Sequence, residues 1–277
     1  MSRKRHTPAP LRDHHRAMIP TLAFLLTIGT TAPLTAGPGA PISAGTETPI
    51  KLEVTAFEPK TWNGKVIVVS HGSTGNDPSK VKFTWTFPAL SRALADKGFR
   101  VLVLMRKGRG ASEGDFTEEN TRSCAYSDRM REVAEAEPQL DQFVDWVRAQ
   151  YAVGKVYLVG HSRGGYLSSY YGTRHQDKIA YAVNISGGWA TLCEAKNRQT
   201  ILTLTETAGA WKNQLWVYAI NDKYFSNSQI DDYKALAEKE GIPFIKLQTT
   251  EGDGHRFAYA NPHLWLDKFS DAIANAR

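Results

Sequence analysis

Residues 154–165 read Gly-Lys-Val-Tyr-Leu-Val-Gly-His-Ser-Arg-Gly-Gly, and their reading decides the fold. An apolar run, Val156 to Val159, leads directly into Gly160-His161-Ser162-Arg163-Gly164. The pattern is G-x-S-x-G at the end of a predicted strand, and a helix-compatible stretch follows from Tyr166 to about Arg174. Strand, sharp turn and helix are the context a nucleophile elbow requires, with the serine strained and exposed at the tip of the turn. Gly160 and Gly164 are expected because a Cβ at either position would meet the crossing strand and helix.

Outward from this stretch, continuous apolar runs alternate with helical patterns. Strands are predicted over 65–70, 99–105, 155–159, 179–185, 215–220 and 244–247, with an edge strand within 49–60. Helices are predicted over 87–97, 129–149 (interrupted by Pro138), 230–239 and 264–274. Runs apolar at every position suit strands buried on both faces, and strands separated by helices suit a mostly parallel sheet. In such sheets, sites gather at the carboxyl ends of the strands.

The amino terminus reads as a targeting segment. Arg3, Lys4, Arg5, Arg12 and Arg16 make a basic start, and no charge follows from Ala17 to Thr46. The apolar centre runs from Leu22 to Ile28, and small residues come after it. This is the order of a secretory signal peptide over residues 1–36, with cleavage after Ala36 or Ala44, and residues 37–48 form a linker. The apolar run is short and thinned by threonines, so an uncleaved anchor is the weaker reading. Residues 1–36 hold five of the 34 Lys+Arg and one of the 28 Asp+Glu; the remainder carries 29 against 27, a net of +2 rather than +6. The basicity therefore belongs mostly to the leader, and no basic cluster with interleaved aromatics suggests nucleic acid. Residues 49–277 suit a single α/β domain.

Chemistry-bearing residues fall at predicted strand ends. A serine nucleophile needs a base, and the base needs an orienting carboxylate. Asp222 follows strand 215–220, and His255 follows strand 244–247 in Gly252-Asp253-Gly254-His255. The order serine, acid, histidine assigns Ser162 as nucleophile, Asp222 as acid and His255 as base. Asp231, Asp232 and Asp253 compete as the acid; His71, His161, His175 and His263 compete as the base. The side chain of His161 is expected to diverge from its neighbour Ser162, and His175 to be solvated. His71-Gly72-Ser73-Thr74-Gly75 follows strand 65–70, where the second oxyanion donor belongs. The donors are assigned to the N–H groups of Arg163 and Ser73, with Thr74 as rival. No metal or cofactor is implied.

These patches together, with Asn221-Asp222-Lys223-Tyr224-Phe225, resemble the α/β-hydrolase superfamily over about residues 50–277. More narrowly they resemble its exported dienelactone-hydrolase-like group. The resemblance implies an α/β-hydrolase fold and a serine hydrolase acting on small carboxylic esters without a cofactor. The enzymes that named the group use a cysteine nucleophile where this chain has Ser162, so their substrate does not carry over. The loop Lys107-Gly108-Arg109-Gly110-Ala111-Ser112 has Lys where Arg commonly begins it, and it reads as a structural turn beside the site. A peptidase or amidase of the same fold, and a non-catalytic binding protein, are the alternatives.

In an exported chain, the two cysteines, Cys124 and Cys193, read as one disulfide; two buried thiols are the alternative. Closing that loop contributes at most about 4 kcal/mol through chain entropy. Thiol titration of the unfolded, unreduced protein from an oxidising compartment is expected to find no free thiol. Two would remove the bridge.

Overall fold

Apolar strands become a sheet covered on both faces. The computed structural model describes residues 31–35, 51–73, 81–115, 126–188, 204, 211–249 and 252–275. Cys124, Cys193, Thr74 and the linker 37–48 lie outside the described residues. The strands are β1 (Thr31–Thr35), β2 (Lys51–Phe57), β3 (Val66–Ser70), β4 (Arg100–Leu104), β5 (Val156–His161), β6 (Ile179–Ile185), β7 (Gln214–Ala219) and β8 (Phe244–Leu247). Their order across the sheet is β1-β2-β4-β3-β5-β6-β7-β8. β1 pairs antiparallel with β2, and β2 with β4; β3 to β8 are parallel. β1 falls inside the expected leader, so cleavage after Ala36 would leave β2 as the edge.

Period-two alternation sends neighbouring residues of one strand into two different cores. Val66 and Val68 join Leu102, Leu104, Leu158 and Tyr218 on one face, while Ile67 and Val69 join Val101, Val103, Val159 and Val217 on the other. The first face is covered by α2 (Tyr126–Tyr151), α3 (Arg163–Arg174) and α4 (Asn227–Glu240). The second is covered by α1 (Pro88–Asp96), α5 (Gly254–Ala260) and α6 (Leu266–Asn275).

Two helices differ from expectation. α2 runs unbroken through Pro138. Val133, Ala136, Leu140, Phe143, Val144 and Val147 are all buried along it, and that packing outweighs the lost backbone bond. α5 lies where no helix was predicted. Its seven residues are too few for a periodic signal, and Asp253 starts it by accepting from the N–H of His255 at 3.1 Å.

The sheet's order reverses at β3, because β4 lies on one side of it and β5 on the other. Crevices form at such points. Gly164, at the start of α3, lies where a Cβ would stand 2.4 Å from the carbonyl oxygens of Ser70 and His71. Gly154 is exposed with nothing within 4 Å of an added Cβ. Gly164→Ala is expected to destabilise by about 3 kcal/mol, lowering Tm by roughly 5–10 °C, while Gly154→Ala stays within about 0.5 kcal/mol. Thermal melts of the two variants check this; equal melting would mean that the approach at Gly164 relaxes freely.

Candidate active site

Ser162 sits between β5 and α3 at φ 55°, ψ −124°, outside the comfortable range of a non-glycine residue. Its N–H donates to the carbonyl of Ile185 at 2.8 Å, and its own carbonyl accepts from the N–H of Tyr166 at 3.1 Å. The turn is thus pinned to β6 on one side and to its own helix on the other. A Cβ at Gly160 would stand 2.0 Å from the Gly164 oxygen, so this position accepts only glycine.

The loop after β3 lies against this turn. A Cβ on Gly72 would come within 2.9 Å of the Ser162 Cβ. The guanidinium of Arg106 holds the loop from behind, donating from Nη1 to Ser70 Oγ at 2.9 Å and to the His71 carbonyl at 2.6 Å. Ser73 is exposed. Arg163 opens α3, directly after Ser162. The Arg163 side chain turns away and is buried beside Glu132 of α2 at 3.8 Å.

Asp222 and His255 meet across the ends of β7 and β8. His255 Nδ1–H donates to Asp222 Oδ2 at 2.8 Å, and both side chains are buried. The other carboxylate oxygen, Oδ1, accepts from the N–H groups of Tyr224 at 2.7 Å and Phe225 at 3.1 Å. A carboxylate has no proton to give, so Nδ1 carries the proton and the neutral ring keeps its lone pair on Nε2. Asn221, at φ 60°, turns the chain into this loop, and its Nδ2–H donates to the Thr249 carbonyl at 2.7 Å, joining the loops after β7 and β8. Gly254 permits the same approach from α5: a Cβ there would lie 2.1 Å from the Ile220 oxygen.

The rival acids are engaged elsewhere. Asp253 caps α5 and lies 3.3 Å from Lys223; Asp231 pairs with Lys246; Asp232 is exposed on α4. Among the rival bases, His263 is exposed, while His175 is half-buried rather than solvated, stacking on Tyr171 at 4.0 Å and contacting Glu137 at 2.9 Å. His71 is buried, with Nδ1–H donating to the Gly72 carbonyl and Nε2 accepting from the Arg106 N–H.

Sequence reasoning missed the part His161 plays. Its Nε2–H donates to the main-chain carbonyl of His255 at 2.8 Å, and the two rings lie 4.7 Å apart. This bond ties the Ser162 turn to the Asp222–His255 pair. It spans 94 residues, and no local signal in the chain marks it.

With this geometry in place, comparison defines the class. Residues 65–207 match the family described as alpha/beta hydrolase fold, and the chain belongs to that family. An α/β serine hydrolase without a lid from Xanthomonas campestris is 18% identical, with 88% of this chain and 94% of that chain covered and a TM-score of 0.56. Est1E from Butyrivibrio proteoclasticus, solved with ferulic acid bound, is 15% identical over 82% of this chain and 96% of its own, with a TM-score of 0.57. A stretch of 131 residues is 30% identical to a 1-acylglycerol-3-phosphate O-acyltransferase of Arabidopsis thaliana; it takes in 45% of this chain and 27% of that protein's length.

Burial holds His71 and His161 well below the usual histidine pKa. Arg106, Arg109 and Arg163 add to this for His71, and His255 and Arg256 for His161. Both rings are therefore neutral when folded and take up a proton on unfolding below the ordinary value of about 6.5. Their contribution to stability is complete above about pH 6.5 and is lost as pH falls, by up to about 1.4 kcal/mol per pH unit for each ring. Denaturant unfolding at pH 7.5 and pH 5.5 should show this loss; a flat profile would mean that the rings are solvated.

Proposed function

We propose that the chain is an exported serine hydrolase of carboxylic esters, working through an acyl-enzyme on Ser162. The observation that carries this reading is the buried Asp222–His255 pair at 2.8 Å, joined to the Ser162 turn through His161. In the reading, Ser162 Oγ attacks the ester carbonyl carbon while His255 Nε2 takes the hydroxyl proton. The main-chain N–H groups of Arg163 and Ser73 stabilise the negative oxygen of the tetrahedral intermediate. Collapse breaks the bond to the alcohol, whose oxygen receives the proton from His255. Water then attacks the acyl carbon by the same route, giving the acid and free Ser162. Asp222 keeps the imidazole in the required tautomer and offsets its charge.

The names of the serine hydrolase and Est1E neighbours agree with this reading. The Arabidopsis relative favours a second: its name describes acyl transfer to an alcohol, which would use the same acyl-enzyme with a different acceptor. Export rests on the basic and apolar order of residues 1–36, and one disulfide between Cys124 and Cys193 accompanies it.

Chromogenic esters of rising acyl length, run beside an aminoacyl anilide and with an added alcohol acceptor, separate ester, amide and transfer chemistry. A fluorophosphonate should label Ser162 alone. Ser162→Ala should lower kcat by on the order of 10⁶ and abolish labelling. Asp222→Asn should lower it by about 10⁴, while Asp253→Asn stays near the parent. Near-normal hydrolysis by Ser162→Ala would overturn the nucleophile. A crippled Asp253→Asn beside a healthy Asp222→Asn would move the acid.

A further inference from the structure

We infer that Tyr224 is a specificity-determining residue that receives the leaving alcohol of the substrate and favours a flat aromatic one. The inference rests on the ester-hydrolase reading of Ser162, Asp222 and His255.

Three rings contact the His255 imidazole among the described residues: His161 at 4.7 Å, Tyr224 at 4.5 Å and Phe225 at 5.9 Å. His161 and Phe225 are buried, whereas Tyr224 is 57% exposed. Four large apolar side chains are exposed among the described residues: Trp62, Phe83, Tyr224 and Leu264. Trp62 is engaged by the Arg100 guanidinium over its ring at 4.8 Å, and its Nε1–H donates to the Lys65 carbonyl. Phe83 rests edge-on against Trp85 at 5.4 Å. Tyr224 alone of the four has a ring contact with the Asp222–His255 pair. Its main chain is fixed as well, because its N–H is one of the two that hold the Asp222 carboxylate. The ring therefore stands beside the imidazole on an immobile stem, with much of its surface open.

The reaction dictates what comes to that surface. The leaving oxygen must lie within hydrogen-bond reach of His255 Nε2 to receive the proton. The atoms attached to that oxygen begin beside the imidazole, so a ring 4.5 Å from it is within contact range of them. The acyl group extends from the carbonyl carbon, which is held at Ser162 and the oxyanion donors. Tyr224 thus addresses the alcohol portion rather than the acyl portion. An aromatic ring pairs with another by offset or edge-on contact, with an advantage beyond the area buried that corresponds to roughly 2–12-fold in rate.

Benzyl acetate and cyclohexylmethyl acetate share an acyl group, a primary alcohol and a similar size, and differ in aromaticity. The ratio of their kcat/KM values in Tyr224→Ala gives the intrinsic difference in reactivity. The parent and Tyr224→Phe are expected to exceed that ratio by about threefold or more. Methyl phenylacetate and methyl cyclohexylacetate place the same two rings on the acyl side, and their ratio should be the same in all three proteins. A ring that merely shields His255 would change all four esters together. If parent and Tyr224→Ala discriminate equally between the two acetates, or if the acyl-side ratio moves as far, the inference is wrong while ester hydrolysis stands. If the parent cleaves no ester and Ser162 takes no fluorophosphonate, the functional reading fails and the inference fails with it.

Discussion

The close approach of three chain segments at the Ser162 turn is the constraint on which the rest depends. The end of β3, the end of β5 and the start of α3 come nearer to each other than any Cβ permits at Gly160 and Gly164. Between them Ser162 is forced to φ 55°, a conformation that costs a non-glycine residue about 1–3 kcal/mol. Such strain persists only where the surroundings over-determine it. Here the two hydrogen bonds to Ile185 and Tyr166, and a sheet buried on both faces, supply that determination. The same approach brings the loop after β3 beside the serine, so the candidate nucleophile and a candidate oxyanion donor are positioned by one set of contacts.

The other half of the site is held by main chain rather than by side-chain packing. Asp222 has one oxygen committed to two backbone donors and the other to His255. Neither oxygen can swing without losing a charge-assisted bond, each stronger than a neutral one. Asn221 and Gly254 let the loops after β7 and β8 close on each other. His161 then links this half to the first, reaching from the serine turn to the His255 carbonyl. The sheet from β5 to β8 carries both halves, and the buried His161 imidazole adds a direct bond between them.

Strands such as 179–185 and 244–247 were legible to the residue because a mostly apolar run rich in β-branched and aromatic residues, set between polar, glycine or proline residues, has few alternatives inside an α/β sheet. The elbow glycines were legible because their need is steric and local. α5 was not, since a seven-residue helix begun by an aspartate cap looks like a glycine-flanked loop. Nor was the continuity of α2, where tertiary burial of one face overrides a proline. The His161 contact lay beyond sequence reasoning for a different reason: it joins positions whose adjacency exists only once β5 and β8 share a sheet. The pairing of Asp222 with His255 was legible in outline, because both residues follow parallel strands and so reach the same rim.

The loop from Arg106 to Ser112, where Lys107 departs from the common pattern, is held by main chain and by side chains of other elements. Ala111 N–H donates to Glu53, Ser112 Oγ–H donates to the Met105 carbonyl and accepts from the Glu53 N–H, and the Lys107 N–H donates to Gln139. Arg106, one residue earlier, braces the loop after β3. A guanidinium suits that task because one planar group can serve two acceptors at fixed angles, which an ammonium does less well. Its fixed charge also bears on the nearby histidines. Burial, with Arg106, Arg109 and Arg163 adding to it, keeps His71 neutral, and burial keeps His161 neutral too. Of the three histidines gathered here, only His255 has a carboxylate against its ring. In the proposed reaction, positive charge would therefore be directed to the one of these three imidazoles that has such a partner to compensate it.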